Sequence, residues 1–323
     1  MVSPVLISNL INASILVALC IGFTFTYMME KFPNFAHTSY ASIGTMVSFY
    51  LVQFKGLNPY FTWPIATLSG GLLGVFLYVV IVRNIKVLGM RSITLTFTFY
   101  IISQIISSMI AMFSYWLLIK MGVQSAGFML RSYDFRVEGV PGIGLVAPAT
   151  ILVLVVLLNI FLYYVKFGIA MRATSEDEKL ASNLGINVDR MHLITWFLSG
   201  CLSGLAGAIL SMWMRTNVNF SDTLLVSVMA GCVLGGLHSI NGAIIGGLTV
   251  AISKKLITIT MMDLFGSWVG VYEELFPILI LFIILAIEPE GLMSLKLRNI
   301  SIYSLRESFV KLRKTVWNLL TTN

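Results

Sequence analysis

The chain has 323 residues, 58% of them hydrophobic and 11% charged, with a mean hydropathy of +0.91. Ordinary soluble domains are roughly 25% charged. A body of 35.8 kDa with so little charge cannot solvate itself, and so apolar a chain is not disordered. The net charge of +7 would suit nucleic acid in a soluble protein. Here the basic residues gather in loops and in the tail, the pattern of cytoplasmic flanks of membrane spans, so no nucleic-acid partner is expected.

A helical span needs roughly 20 apolar residues, and the length allows about eight or nine. The predicted segments are 5–28, 34–54, 61–82, 92–119, 143–165, 191–214, 223–237, 242–259 and 269–287. The fold class is therefore all-α: a polytopic membrane helix bundle with some segments broken or re-entrant. Barrel strands are excluded by the length of the runs and their lack of alternation. The first segment lacks the basic flank of a cleaved signal, since its first charge is Glu30, and reads as a retained helix. Three loops or tails are basic. One holds Arg83, Lys86 and Arg91; one spans 166–190; the last holds Lys296, Arg298, Arg306, Lys311, Arg313 and Lys314. All three are expected in the cytoplasm, which puts 120–141 and the N-terminus outside. Residues 1–295 then form one transmembrane domain with a cytoplasmic loop at 166–190 inside it. Residues 296–323 form a basic amphipathic tail on the inner lipid surface. Cys20, Cys201 and Cys232 lie scattered in apolar stretches with no pairing or metal-binding spacing, and read as small core residues.

Small residues recur at helix-packing spacing: Gly70/Gly74, Gly200/Gly204, Ser203/Gly207 and Gly242/Gly246. In the loop, Ser175 with Glu178 reads as a capping box, and Gly185 suits the residue after the last turn. That predicts a helix over 176–184, about 13 Å long, with Leu180, Ala181 and Leu184 on an apolar face. Capping alone fits a docking helix and a solvated connector equally well.

Several motifs together resemble a known family. Ala173, Glu176-Asp177, Ala181 and Gly185-Ile186 resemble the coupling loop of ABC importer permeases, and more narrowly the branched-chain amino-acid (LivH/LivM-like) type. Asn34-Phe35-Ala36-His37 with Gly44 is similar to that family's element near its second helix. Gly235-Gly236-Leu237-His238-Ser239-Ile240-Asn241-Gly242-Ala243 with Gly246-Gly247, and Pro289-Glu290-Gly291-Leu292, resemble two more in the same order. Thr38 and His238 stand where the family usually has Gly, and Asn241 where it has Pro, so the chain is a divergent member. The resemblance implies an ABC importer permease in the plasma (inner) membrane. Its partners would be a second permease subunit, two ATPase subunits, an extracytoplasmic solute-binding protein and lipid. It implies no cofactor in this chain, ATP being hydrolysed by the partners. It assigns ATPase coupling to Glu176, Asp177, Ala181, Gly185 and Ile186.

The translocation path is expected at polar groups within apolar segments: Asn34, His37, Gly44, Gln104, Gly236, His238, Ser239 and Gly242. His37 and the 235–242 element read as well as structural ties or a cytoplasmic turn. Gln104 reads as the largest buried polar group of its segment. No charge is expected in the middle of a segment, which argues against ion-coupled transport. No phosphate-binding loop or catalytic motif occurs, so the chain is not expected to be an enzyme. A permease for urea or short amides, and a stand-alone channel or secondary carrier, are the alternatives.

Overall fold

A computed structural model describes residues 4–89, 92–125, 127–137, 139–216 and 220–287. The basic tail at 296–323, the motif at 289–292 and Arg91 lie outside the described residues. In chain order the helices are α1 (Pro4–Glu30), α2 (His37–Lys55), α3 (Pro59–Leu77) and α4 (Arg83–Val87), the last two joined by a π turn at Tyr78–Val82. Then come α5 (Ser92–Met121), α6 (Ile143–Tyr164), α7 (Lys166–Glu176), α8 (Glu178–Asn183), α9 (Val188–Trp213), α10 (Phe220–Gly235), α11 (Ile240–Phe265) and α12 (Leu275–Ile287). The α5–α6 loop holds a 3-10 turn at Leu130–Tyr133 and a small antiparallel ladder, β1 (Arg136–Val137) and β2 (Val140–Pro141), with Val137 opposite Val140. A second 3-10 turn, Ser267–Tyr272, precedes α12.

Six described helices are long and apolar enough to cross a bilayer alone: Val5–Glu30, Pro59–Val87, Ser92–Met121, Ile143–Tyr164, Val188–Trp213 and Ile240–Phe265. The more polar α2 and the shorter α10 and α12 complete the bundle. The predicted 242–259 segment is longer in fact, running on to Phe265. The predicted 269–287 segment is shorter, because Gly266, at φ +98°, stops α11 and a 3-10 turn follows. Contacts sort the loops into two ends. At one end the tips of α1, α4 and α8 meet the start of α9. At the other, Tyr60 bonds Asp134, Phe49 packs on Phe128, and Arg131 lies over the Trp213 ring at 4.5 Å. The first end carries Arg83, Lys86, Lys166 and Arg172 and is cytoplasmic by the positive-inside rule. With this end inside, the loop charges would put the start of α1 outside, as expected from the sequence.

Helix α9 is the hub, because small residues let three helices approach its backbone. Lipid tails are as apolar as Leu, so close backbone packing and hydrogen bonds must hold such helices together. A Cβ on Gly200 would collide with the Gly70 carbonyl, and one on Gly70 with the Gly200 carbonyl. Gly74 meets the Trp196 carbonyl, Gly44 meets Gly204, and Gly207 meets Ala41. Ser203 Oγ, on the same face, donates to the His37 carbonyl at 2.7 Å. The α10–α11 crossing repeats the device, with Gly246 against Gly231 and Gly235 against Gly242. Each small-residue pair read from the sequence thus sits at a crossing. Cys20 and Cys232 are buried between α1 and α10, where Cys232 Sγ lies 3.4 Å from the Cys20 carbonyl.

Replacing Gly200 with Val should cost about 1–3 kcal/mol or more through overpacking against α3. Thermal unfolding of the purified protein in detergent measures it. An unchanged midpoint contradicts the α3–α9 contact.

Candidate functional site

The cytoplasmic loop folds into two helices rather than one. Ser175 belongs to α7, where its Oγ donates to the Arg172 carbonyl at 2.7 Å, so it caps nothing. Asp177 is the cap instead: its Oδ1 accepts from the backbone N–H of Lys179 at 2.9 Å and of Leu180 at 3.0 Å. An aspartate with extended backbone is as good an N-cap as serine, and it won the position. The predicted helix over 176–184 is therefore corrected to Glu178–Asn183, about 9 Å long. Glu176 ends α7 and lies exposed. The far end is as expected. Gly185 takes φ +82°, its N–H bonds the Ser182 carbonyl, and the Ile186 N–H reaches back to the Ala181 carbonyl at 3.1 Å. This pair of bonds closes the helix at a left-handed residue that glycine adopts without strain. Ala181 is buried, Ile186 packs against the core, and Leu180 and Leu184 face outward, 58% and 72% exposed.

Beneath α8 lies a cluster that sequence reasoning missed. Glu30, the last residue of α1, is fully buried. Its Oε1 accepts from Trp196 Nε1 and His192 Nδ1, both at 2.8 Å, and its Oε2 pairs with Lys86 Nζ at 2.7 Å. His192 Nε2 faces Glu178 Oε1 at 3.3 Å, and Lys86 also reaches Glu178 at 3.5 Å. A buried carboxylate costs several kcal/mol to desolvate and persists only when each oxygen is matched. Here α4 supplies Lys86 and α9 supplies His192 and Trp196 to match it, and Glu178 of α8 joins from beyond His192 and Lys86. The π turn brings Tyr78 into place: its ring stacks on His192 at 5.6 Å, and its hydroxyl donates to Asp189 at 3.1 Å. Arg83 pairs with the same Asp189 at 3.4 Å. The available signal was Glu30 itself, the first charge in the chain, with Lys86 and His192 at segment ends. Nothing in sequence order joined them.

The residues assigned to a path divide into two groups. Asn34, His37, Gly44 and Gly242 are buried in helix packing. Asn34 Nδ2 donates to Tyr40 Oη at 3.3 Å, and its Oδ1 accepts from the Ala36 N–H. His37 Nε2 lies 3.1 Å from the Leu19 carbonyl and Nδ1 lies 3.2 Å from Ser199 Oγ, tying α2 to α1 and α9. The second group faces the cytoplasmic end. Gly236, at φ +94°, turns the chain between α10 and α11, and Ser239 Oγ caps α11 by accepting from the Gly242 N–H at 3.2 Å. His238 and Ser239 line a cavity of about 360 Å³ together with Lys31, Asn159, Arg172 and Glu176. Two stretches far apart in sequence, the 172–176 turn and the 238–241 turn, therefore share one opening. Burial, and next the charge of Lys31, hold the His238 imidazole below its ordinary pKa.

Gln104 is corrected: it is exposed on the outer face of α5, not buried. Neighbouring hydroxyls bond their own helix, as in Ser103 Oγ to the Tyr100 carbonyl and Thr98 Oγ1 to the Thr94 carbonyl. The expectation that no charge lies in the middle of a segment is corrected at α11, where Lys254 and Lys255 sit just past the middle of the lengthened helix. No group of three or more potential metal ligands occurs among the described residues.

A bundle of long apolar helices, with a short polar-loop helix bonded to the ends of its spans, defines a multi-pass membrane protein. The comparisons name the kind. The family model for the branched-chain amino acid transport system / permease component matches residues 5–287, so the chain belongs to that family of transport permeases. It is 34% identical to the "Probable branched-chain amino acid transport permease protein LivH" of Methanocaldococcus jannaschii, over 88% of this chain and 90% of that one. It is 31% identical to the high-affinity branched-chain amino acid transport system permease protein LivH of Escherichia coli, over 42% of each chain. Among solved structures it shares its fold with "PsaBC from Streptococcus pneumoniae in complex with Fab", at TM-score 0.53 and 16% identity, covering 90% of this chain and 95% of that one.

Two outcomes follow for the node. Glu30→Gln leaves Lys86 and His192 without their buried partner and should lower stability by about 3 kcal/mol, read from thermal unfolding. A midpoint within error of the parent contradicts the network. The Glu178 carboxyl is held below its ordinary value of 4.5 chiefly by the His192 hydrogen bond, with Lys86 assisting and burial opposing. Its folded pKa is depressed, so the tether is intact above pH 4.5 and is lost as pH falls through the depressed value. A spin label at position 183 should report an immobile α8 at neutral pH and a mobile one only well below that point. Release near pH 7 contradicts the assignment.

Proposed function

We propose that this chain is a plasma-membrane permease subunit of an ABC importer for branched-chain amino acids. It pairs with a second permease subunit and receives its drive from two separate ATPase subunits, with an extracytoplasmic binding protein delivering the substrate. The carrying observation is the two-sided character of α8. Its outward side presents Leu180 and Leu184, four residues apart on one helix face, for an apolar groove. Its inward side is bound through Glu178 to His192, and through His192 to Glu30. Motion of an ATPase that grips the outer side thus pulls on α9 and α1 together. Asp177 and Gly185 fix the two ends of α8, Ala181 and Ile186 seat it, and Glu176 joins it to α7.

The inner opening lined by His238 and Ser239 is the exit that this motion would widen, with Gly236 as the hinge of its rim. The family match and the relatives' names support amino acids as cargo over the urea, short-amide and stand-alone carrier alternatives.

The test is a surface change that spares the fold. Leu180→Glu with Leu184→Glu should abolish co-purification of the ATPase subunits and cut leucine uptake by about tenfold or more, while the permease folds normally. Unchanged uptake overturns the docking role of α8.

A further inference from the structure

The outer half of the bundle holds a second cavity, of about 360 Å³, that no sequence motif marked. It lies between α1, α10 and α11 and the turn before α12, and it reaches the outer ends of α9 and α10 at Arg215 and Phe220. Its lining is mixed. Ile15 and Leu16 of α1, Leu224 of α10 and Ala251 of α11 are apolar. The rest includes paired charges. Lys254 Nζ meets Glu274 Oε1 at 2.7 Å, Lys255 meets Glu273 at 3.8 Å, and Ser227 Oγ lies 3.4 Å from Glu274 Oε2.

These charges are costly where they stand. Lys254 follows the start of α11 by 14 residues, about 21 Å along the axis, just past the middle of a helix long and apolar enough to cross a bilayer. Its side chain is only 16% exposed. An ionised group at that depth faces a water-filled cavity or the bundle interior, and such groups mark substrate pathways. A lone ion pair needs no cavity beside it. The volume falls within the range of about 300–1,000 Å³ typical of small-molecule sites.

We propose that this cavity is a binding site for a zwitterionic α-amino acid with an apolar side chain, on the outer half of the path. The ligand's ammonium group replaces Lys254 at Glu274, its carboxylate takes the released Lys254 while Lys255 stays with Glu273, and its hydrocarbon lies on Leu16 and Leu224. Each charge keeps an opposite partner throughout the exchange, so the ligand enters without leaving an uncompensated ion at membrane depth. Arg215 at the mouth adds a cation that draws the carboxylate end inward. The proposal rests on the amino-acid reading given above and adds where, and by which groups, the cargo is held.

The probe is a diazirine analogue of leucine, photolysed with the complete transporter in membranes, and the labelled peptides are read by mass spectrometry. Labels are expected in residues 210–227 and 251–274, displaced by excess leucine. Lys254→Met and Glu274→Gln should each reduce that labelling by about tenfold. Leu16→Trp fills the cavity from α1, which carries no member of the ion pairs, and should do the same. The reversed pair, Lys254→Glu with Glu274→Lys, restores the pair and the folded yield but not the labelling. Leucine uptake with labels elsewhere, labelling indifferent to these variants, or full labelling in the reversed pair overturns the site while sparing the amino-acid reading. A transporter that imports no leucine at all overturns both.

Discussion

One buried carboxylate organises the cytoplasmic half of this molecule. Glu30 ends the first span and accepts from Trp196 and His192 while pairing with Lys86. An unmatched carboxylate there would be prohibitively costly, so the positions of α4 and α9 relative to α1 are fixed by the need to match it. His192 extends that constraint to the short helix α8 through Glu178. A helix of six residues has almost no stability of its own. It is held by Asp177 at one end, Gly185 at the other, and this anchor beneath.

The membrane-embedded part rests on a different principle. Burial of apolar surface drives nothing in lipid, so α9 is held by backbone proximity at Gly200, Gly204 and Gly207 and by hydroxyl bonds such as Ser203 to the His37 carbonyl. The same close approach explains the buried polar strip of α2. His37 and Thr45 bond across to α1 and α9, Thr45 Oγ1 reaching the Gly207 carbonyl at 2.8 Å. Rigid crossings of this kind would pass a pull on α9 to α2 and α3, as the proposed coupling requires.

The sequence carried most of the spans and the small-residue crossings, because each depends on composition within one segment. The family resemblance marked the turn at 235–242, which the structure shows at Gly236. The node was not legible, since Glu30, Lys86, Glu178 and His192 belong to four elements that only folding brings together. The cap was misplaced by two residues because Ser175 and Asp177 are both competent, and only the chain's turn at Asp177 decides between them. Lys254 and Lys255 lay toward the end of the segment drawn at 242–259 and come near the middle only because α11 runs on to Phe265, and Gln104 was misread on a helix whose hydrophobic pattern does not separate its two faces.

The central claim is that the α8–His192–Glu30 connection carries the ATPase stroke into the spans. The most direct measurement is the number of leucine molecules imported per ATP hydrolysed in proteoliposomes holding the complete transporter, with His192→Ala against the parent. The account predicts that hydrolysis persists while uptake per ATP falls by about tenfold, within the usual range of coupling free energies of about 1–3 kcal/mol. An unchanged ratio would contradict it.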